Sequence, residues 1–197
     1  MAVKQPESVA ATLPLDEVIR LLQREGLFEF ADGERTLLVP GVAEHSEIIK
    51  LLYAVLLQIE QQSGVIRAYS ETPYVLMFGP DWVTGVRVPD VMAFAANRMT
   101  DYKERTADWK RKPFVLVPDL CVEVVSPNDI YAEVDEKVQR YLSDGVRLVW
   151  VVNPRIRSVH VYGDERTPTR RLTAEDTLDG GDVLPGLALP VRDLFPA

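Results

Sequence analysis

The sequence predicts an α/β or α+β fold built on one mixed sheet. Three observations carry this. The run Leu120-Cys121-Val122-Glu123-Val124-Val125 is short, apolar and rich in β-branched residues, and it stops at Ser126-Pro127, the pattern of a strand buried on both faces. A helix-period segment over about 129–143 and a second apolar run, Arg147–Val152, come next. Strand, helix, strand implies a parallel pair joined by a right-handed crossover. Upstream, several short apolar runs are separated by turn residues, which implies antiparallel pairing.

The elements follow in order. Leu15, Val18, Ile19 and Leu22 recur at helical spacing over 15–24, with Asp16 and Glu17 in the first turn, where acids complement the helix dipole. Leu27–Phe30 and Thr36–Val39 flank Asp32-Gly33, a hairpin signal. Pro40-Gly41 breaks the chain before a long helix over 44–62, whose stripe is Ile48, Ile49, Leu52, Val55, Leu56 and Ile59. Strands are expected at Val65–Ser70, Tyr74–Phe78 and Val86–Phe94. Residues 97–113 are polar and basic and read as a loop or partial helix. After the helix stopped by Asp144-Gly145 and the strand Arg147–Val152, Asn153-Pro154 turns the chain into Ser158–Tyr162. Short strands and a Pro185-Gly186 turn close the sequence. One mixed sheet in a single domain, residues 1–197, is the expected result.

The bulk properties bound the function. The chain has 197 residues, enough for one sizeable core, and is 47% hydrophobic and 26% charged, as folded domains usually are. No stretch reaches the roughly 18–20 apolar residues of a membrane span, and Met1–Pro14 lacks the charged start and apolar block of a secretory signal. The lone Cys121 excludes an internal disulfide framework and a multi-cysteine zinc site. A cytoplasmic location is expected. The net charge of −8 argues against nucleic-acid binding by bulk field, which rests on lysine and arginine neutralising phosphates. A polyanionic partner would need metal ions or a local basic patch. Lys103, Arg105, Lys110, Arg111 and Lys112 form one candidate patch, and a solvated loop is the plainer account of it.

Glu123 is the most informative residue. A carboxylate in a buried strand is costly unless it is paired, protonated or bound to a metal. A core pair with an arginine is one account of it and a reactive site is another. Alternation puts Asp119, Cys121 and Val125 on the same face. Asp90, directly after Pro89 in an apolar run, is a second inward acid or a turn acid. Two such acids on adjacent strands would make the oxygen-rich site that Mg²⁺ or Mn²⁺ takes. Lys137 lies on the stripe of Val134, Val138, Tyr141 and Leu142, pointing inward. A helical pair with Glu133 and a snorkelling stem is the competing account. Glu44 and Glu47 flank His45 at the start of the long helix, where first-turn acids also serve the dipole alone. The phosphate-loop, dinucleotide and nucleophile-elbow motifs are absent from the sequence. Neither His45 nor His160 has a partner at metal-ligand spacing.

Several segments in order resemble the Uma2 family: Phe28-Glu29-Phe30-Ala31-Asp32-Gly33-Glu34, Val88-Pro89-Asp90-Val91, Pro118 to Pro127, Glu136 to Leu142, Gly145 to Pro154 and Leu184-Pro185-Gly186-Leu187. That family is similar to the PD-(D/E)xK superfamily, whose restriction-endonuclease-like fold implies an α/β (α+β) architecture with a mixed central β-sheet flanked by helices and additional antiparallel strands. The resemblance implies a metal-dependent endonuclease acting on nucleic acid, DNA in the first place, with Mg²⁺ or Mn²⁺ as cofactor. Asp90 and Glu123 would hold the metal, with the backbone carbonyl of Val124. The family's usual lysine, two residues after the second acid, is replaced by Val125, and the resemblance implies that Lys137 takes its role. Glu47 would be a first-helix acid near the site. A homodimer is expected for cutting both strands, with Val149–Val152 as an edge for pairing between subunits. The alternative is a nuclease-fold binding or regulatory module with weak or no catalysis, which the acidic charge favours.

Overall fold

The computed structural model describes residues 11–39, 41–127, 129–163 and 168–195. A short strand β1 (Leu13–Pro14) runs into helix α1 (Leu15–Glu25), and the hairpin β2 (Phe28–Ala31) and β3 (Glu34–Leu37) turns at Asp32-Gly33. Helix α2 (Ala43–Ser63) precedes strands β4 (Ile66–Ser70), β5 (Tyr74–Phe78), β6 (Trp82–Arg87) and β7 (Val91–Ala95). Then come helix α3 (Ala96–Arg105), strand β8 (Leu120–Val124), helix α4 (Tyr131–Asp144), and strands β9 (Leu148–Asn153) and β10 (Ser158–Gly163). Strands β11 (Arg170–Leu172), β12 (Thr177–Gly180) and β13 (Leu184–Pro190) follow, and a 3₁₀ turn, Val191–Leu194, comes last.

The main sheet has six strands in the order β11-β10-β9-β8-β7-β4. Only β8 and β9 are parallel, joined by α4 as the sequence implies, and the other pairs are antiparallel. Strand alternation divides its side chains cleanly. Val91, Ala93, Leu120, Val122, Val124, Trp150 and Val152 pack beneath Ile48, Ile49, Leu52 and Leu56 of α2. Met92, Phe94, Cys121, Val149 and Val151 face Met99 and Tyr102 of α3 and Val138 and Tyr141 of α4. A five-stranded antiparallel sheet of β1, β2, β3, β5 and β6 is a second unit, with α1 packed on it through Val18 and Leu21. β12 and β13 pair separately. The single mixed sheet of the sequence reading is therefore three sheets.

The reason lies at residues 86–94, expected as one strand. Pro89 has no N–H to offer a ladder, and a residue before proline is itself restricted. The run divides there into β6 and β7, which belong to different sheets. Arg87, buried at the end of β6, joins the layers: its Nε lies 3.1 Å from Asp144 at the end of α4, and its Nη1 donates to the Phe30 carbonyl at 2.7 Å. Tyr74 donates to the same Asp144 carboxylate at 3.0 Å. Helix α4 stops where Gly145 takes φ 101°, a left-handed conformation that costs a glycine little.

One open reading is made definite, and one expectation is corrected. Most of 97–113 is ordered as α3 and a 3₁₀ turn, Trp109–Arg111, because Met99 and Tyr102 give α3 a buried side. Strand β9 carries β8 on one edge and β10 on the other, so Val149–Val152 has no open edge for a second subunit. The Pro185-Gly186 turn instead lies within β13. Among the described residues, no helix is long and apolar enough to cross a membrane.

Candidate active site

The antiparallel register Val91↔Val122 brings Asp90, the residue before β7, level with the end of β8 that carries Glu123. The Val124 N–H donates to Asp90 Oδ2 at 2.6 Å, which fixes that carboxylate against the strand end. His45, in the first turn of α2, places Nε2 3.4 Å from the same oxygen. A Cβ on Gly41 would collide with the His45 ring, so the absence of a side chain there lets the imidazole reach Asp90. The contact with Asp90 holds the His45 imidazole above its ordinary range, against the opposing effect of burial.

Glu123 is buried, and both its oxygens are engaged by α4. Tyr141 donates its hydroxyl to Oε1 at 2.6 Å, and Lys137 Nζ donates to Oε2 at 3.2 Å. Lys137 and Tyr141 are four residues apart and share one helix face, so a single packed helix delivers both donors. Lys137 Nζ also lies 3.4 Å from Glu29 Oε1 of β2, a buried oxygen that receives no hydrogen bond. Burial pushes the Glu123 carboxyl up to about 7; Lys137 opposes this, and the neighbouring Asp90 and Glu29 add to it. Burial by itself would lower Lys137, but Glu123 and Glu29 outweigh it and hold the ammonium above its ordinary range. The site thus collects more negative than positive charge in a region that water reaches poorly.

Two small cavities meet at Lys137. One of about 60 Å³ is bounded by Glu123, Val124, Val125, Asp129, Glu133 and Lys137. The other, about 120 Å³, lies toward β2 and includes Glu29, Arg87, Arg140 and Tyr141. Mg²⁺-type ions are held by one or two carboxylates and keep several waters, and Asp90 with Glu123 offers that donor set beside a strand-end carbonyl. Among the described residues, no group of three or more His, Cys, Asp or Glu side chains forms a cage. The all-oxygen pair therefore fits a hard, partly hydrated cation.

The structure brings together Asp90, Glu123, Val124 and Lys137. It does not bring Glu47 to them. Ile48 and Ile49 take the buried side of α2, which turns Glu47 outward, 61% exposed and 3.5 Å from Lys50. Of the two accounts of Lys137, the inward one describes its contacts, and Glu133 is exposed. Among the described residues, Glu123 has no arginine partner; Arg87 belongs to Asp144. Asp119 lies at the opposite end of β8. It accepts the Ala95 N–H at 2.8 Å and pairs with Arg98 at 2.7 Å, locking α3 to the sheet. The basic group of α3 and its following turn is partly tied to Trp109, with Lys103 Nζ 4.6 Å from the ring centroid, and α3 leaves the sheet at the Asp119 end. Glu29 was not singled out from the sequence. Alternating with Phe28 and Phe30, it reads as an ordinary solvent-facing strand position, and it joins the site where Lys137 of α4 reaches it. Tyr141 was assigned to the core stripe, and its hydroxyl gives no separate signal.

The mixed sheet, with Asp90 and Glu123 at neighbouring strand ends and Lys137 on the crossover helix, is an α/β architecture. A crystal structure titled as a putative nuclease belonging to DUF820, from Anabaena variabilis, shares the fold: TM-score 0.75, 22% identity, covering 93% of this chain and 97% of that one. The sequence profile of Uma2, described as "Putative restriction endonuclease", matches residues 15–192, and the chain belongs to that family. No curated protein matches it.

Proposed function

We propose that the chain is a divalent-metal-dependent nuclease that hydrolyses phosphodiester bonds of nucleic acid, DNA in the first place. The observation that supports this most is the buried Glu123 carboxylate within 3.2 Å of Lys137, at a strand end where Asp90 is held by the Val124 N–H. Asp90, Glu123 and the Val124 carbonyl would hold Mg²⁺ or Mn²⁺. Such an ion, when bound, lowers the pKa of a coordinated water and neutralises phosphate charge. The chain's own residues do the rest. Tyr141 keeps the Glu123 carboxylate aimed by donating to Oε1. Lys137 is a fixed cation facing the cavity, and it stabilises negative charge developing on the phosphate. Glu29, with Oε1 3.4 Å from Nζ, is a second acceptor that keeps Lys137 in place. Removing a positioned donor of this sort costs roughly 10²–10³ in rate.

The test is calorimetric titration with Mn²⁺ and Mg²⁺, with cleavage of labelled DNA and RNA followed in parallel, for the wild type, Glu123→Gln and Lys137→Ala. Saturable binding and cleavage, both lost in Glu123→Gln while the fold is kept, is the expected result. Cleavage unchanged in Glu123→Gln overturns the assignment. A second reading, a binding or regulatory module of nuclease fold, is favoured by one observation: both Glu123 oxygens already have protein donors. It expects nucleic-acid binding without cleavage and without saturable metal binding.

A further inference from the structure

Beside the candidate site, a groove of about 590 Å³ runs between the start of α4 and the β9–β10 hairpin. It shares Val125, Asp129 and Val134 with the small cavity that holds Glu123 and Lys137. The two spaces therefore adjoin, and whatever occupies the groove lies next to the candidate site. The volume falls in the range of small-molecule pockets.

The lining of the groove restricts what that occupant is. Tyr131, Tyr162 and His160 contribute aromatic rings. Tyr131 is 74% exposed and Ile156, which also lines the groove, is 50% exposed, so both offer accessible surface to an occupant. The Tyr131 side chain lies near that of Tyr162, and the His160 and Tyr162 rings lie 6.4 Å apart and 31° from parallel. Burial lowers the His160 imidazole below its ordinary range, so it presents a neutral ring near pH 7. Among the described residues, Glu44, Asp129 and Asp135 also line the groove, against one cation, Arg155. Carboxylates repel phosphate but accept hydrogen bonds from amino groups. An aromatic wall with carboxylate acceptors fits a neutral, flat ring that carries an exocyclic amine.

We propose that this groove binds an unpaired nucleobase next to the scissile phosphate, which makes single-stranded or locally unpaired nucleic acid the substrate. The inference rests on the nuclease reading and adds the substrate class. Bases inside a duplex are stacked and cannot enter a side groove without being extruded. Stacking on aromatic side chains tolerates sequence and contributes roughly 1–3 kcal/mol per base. The carboxylates select within this, favouring adenine and cytosine, which carry exocyclic amines, over thymine, which has none. A substrate gripped by its bases also suits a chain of net charge −8, which is poorly equipped to grip a duplex by its phosphates.

The experiment is fluorescence anisotropy in EDTA with labelled oligodeoxyadenylate, oligodeoxycytidylate, oligothymidylate and a mixed-sequence duplex, for the wild type, Tyr131→Ala, Tyr162→Ala and Glu123→Gln. The expected result is tighter binding of single strands than of duplex, and of the adenine and cytosine strands than of thymine. Each tyrosine variant should weaken it by roughly 5- to 100-fold. Tyr131 is exposed, so its variant tests the groove even where Tyr162→Ala fails to fold. Duplex bound as tightly as single strands, tyrosine variants that bind like the wild type, or no binding at all overturns the inference. Glu123→Gln keeps the two readings separate. Base-selective binding in a protein that cleaves nothing overturns the nuclease reading and leaves the groove; Glu123-dependent cleavage without selective single-strand binding does the reverse.

Discussion

Replacing Glu123 by glutamine should stabilise the metal-free protein at alkaline pH, although it removes the central residue of the site. The carboxyl stands at about 7 in the fold against 4.5 for an unperturbed group. At one pKa unit per 1.36 kcal/mol, ionising it in the native state costs on the order of 3 kcal/mol more than in the unfolded chain. Because the folded value is raised, the sign is the reverse of an ordinary salt-bridged acid. Between pH 4.5 and 7 the folded protein retains a proton that the unfolded chain has released. This group's contribution to stability is full below about pH 4.5 and is lost as the pH rises through 7. The attraction of Lys137 is already contained in the shifted value, so it is not counted again. Glutamine resembles the protonated acid in shape and charge. The variant should therefore match the wild type at pH 5 and exceed it by about 3 kcal/mol at pH 8, roughly 6–12 °C in Tm for a chain of this size. Thermal and urea unfolding in EDTA at pH 5, 6, 7 and 8 measures the difference. A difference that does not change with pH, or a variant less stable than the wild type at pH 8, refutes the argument that burial and neighbouring acids raise this carboxyl.

Two other perturbations test the surroundings. Tyr141→Phe removes the 2.6 Å donor to Glu123 Oε1 and leaves a buried carboxylate oxygen unpaired, so it should cost about 1.5–3 kcal/mol at pH 8 and less at pH 5; equal cost at both pH values would place the loss in packing instead. The two histidines should titrate apart in NMR spectra, His45 above 6.5 because of Asp90 and His160 below it because of burial. Asp90→Asn should bring His45 down while leaving His160 where it is, and a His45 midpoint that ignores this substitution removes the contact from the argument.

Much of this architecture was legible because it rests on local pattern. The β8–α4–β9 unit follows from two apolar runs and a helical stripe, and the place of Lys137 on that stripe made an inward direction one of two open accounts. What was not legible depends on how layers dock. Pro89 marks a break, but that the chain changes sheet there is settled by which strands β6 and β7 pair with. Glu29 alternates with two phenylalanines as any exposed strand residue does, and it becomes part of the site where Lys137 of α4 reaches it. His45 offered a single imidazole without ligand spacing, and its partner is an acid 45 positions away on another element. Glu47 shows the opposite error: its proximity in sequence to that histidine says nothing about its direction, which the buried pair Ile48 and Ile49 decides.

The placement of the lysine on a helix has a consequence that can be tested by moving it. Residue 125 is two beyond Glu123, so it shares that acid's face of the sheet and, in this chain, is a valine that borders the same small cavity as Lys137. A lysine there would be held by the strand backbone. In this chain the ammonium is held by a helix whose packing also fixes Tyr141, so the two donors to Glu123 move together or not at all. If the role of Lys137 is charge stabilisation at the cavity, either route serves. Lys137→Ala should lower cleavage by roughly 10²–10³, and adding Val125→Lys to it should recover a substantial part of that loss. If Lys137 serves instead to tie α4 to β2 and β8, the second substitution adds a strand lysine without restoring the tie, and stability falls further with no recovery of rate. Rates and unfolding midpoints measured on the same preparations separate the two, because recovery of rate without recovery of stability is an outcome that a purely structural lysine does not produce.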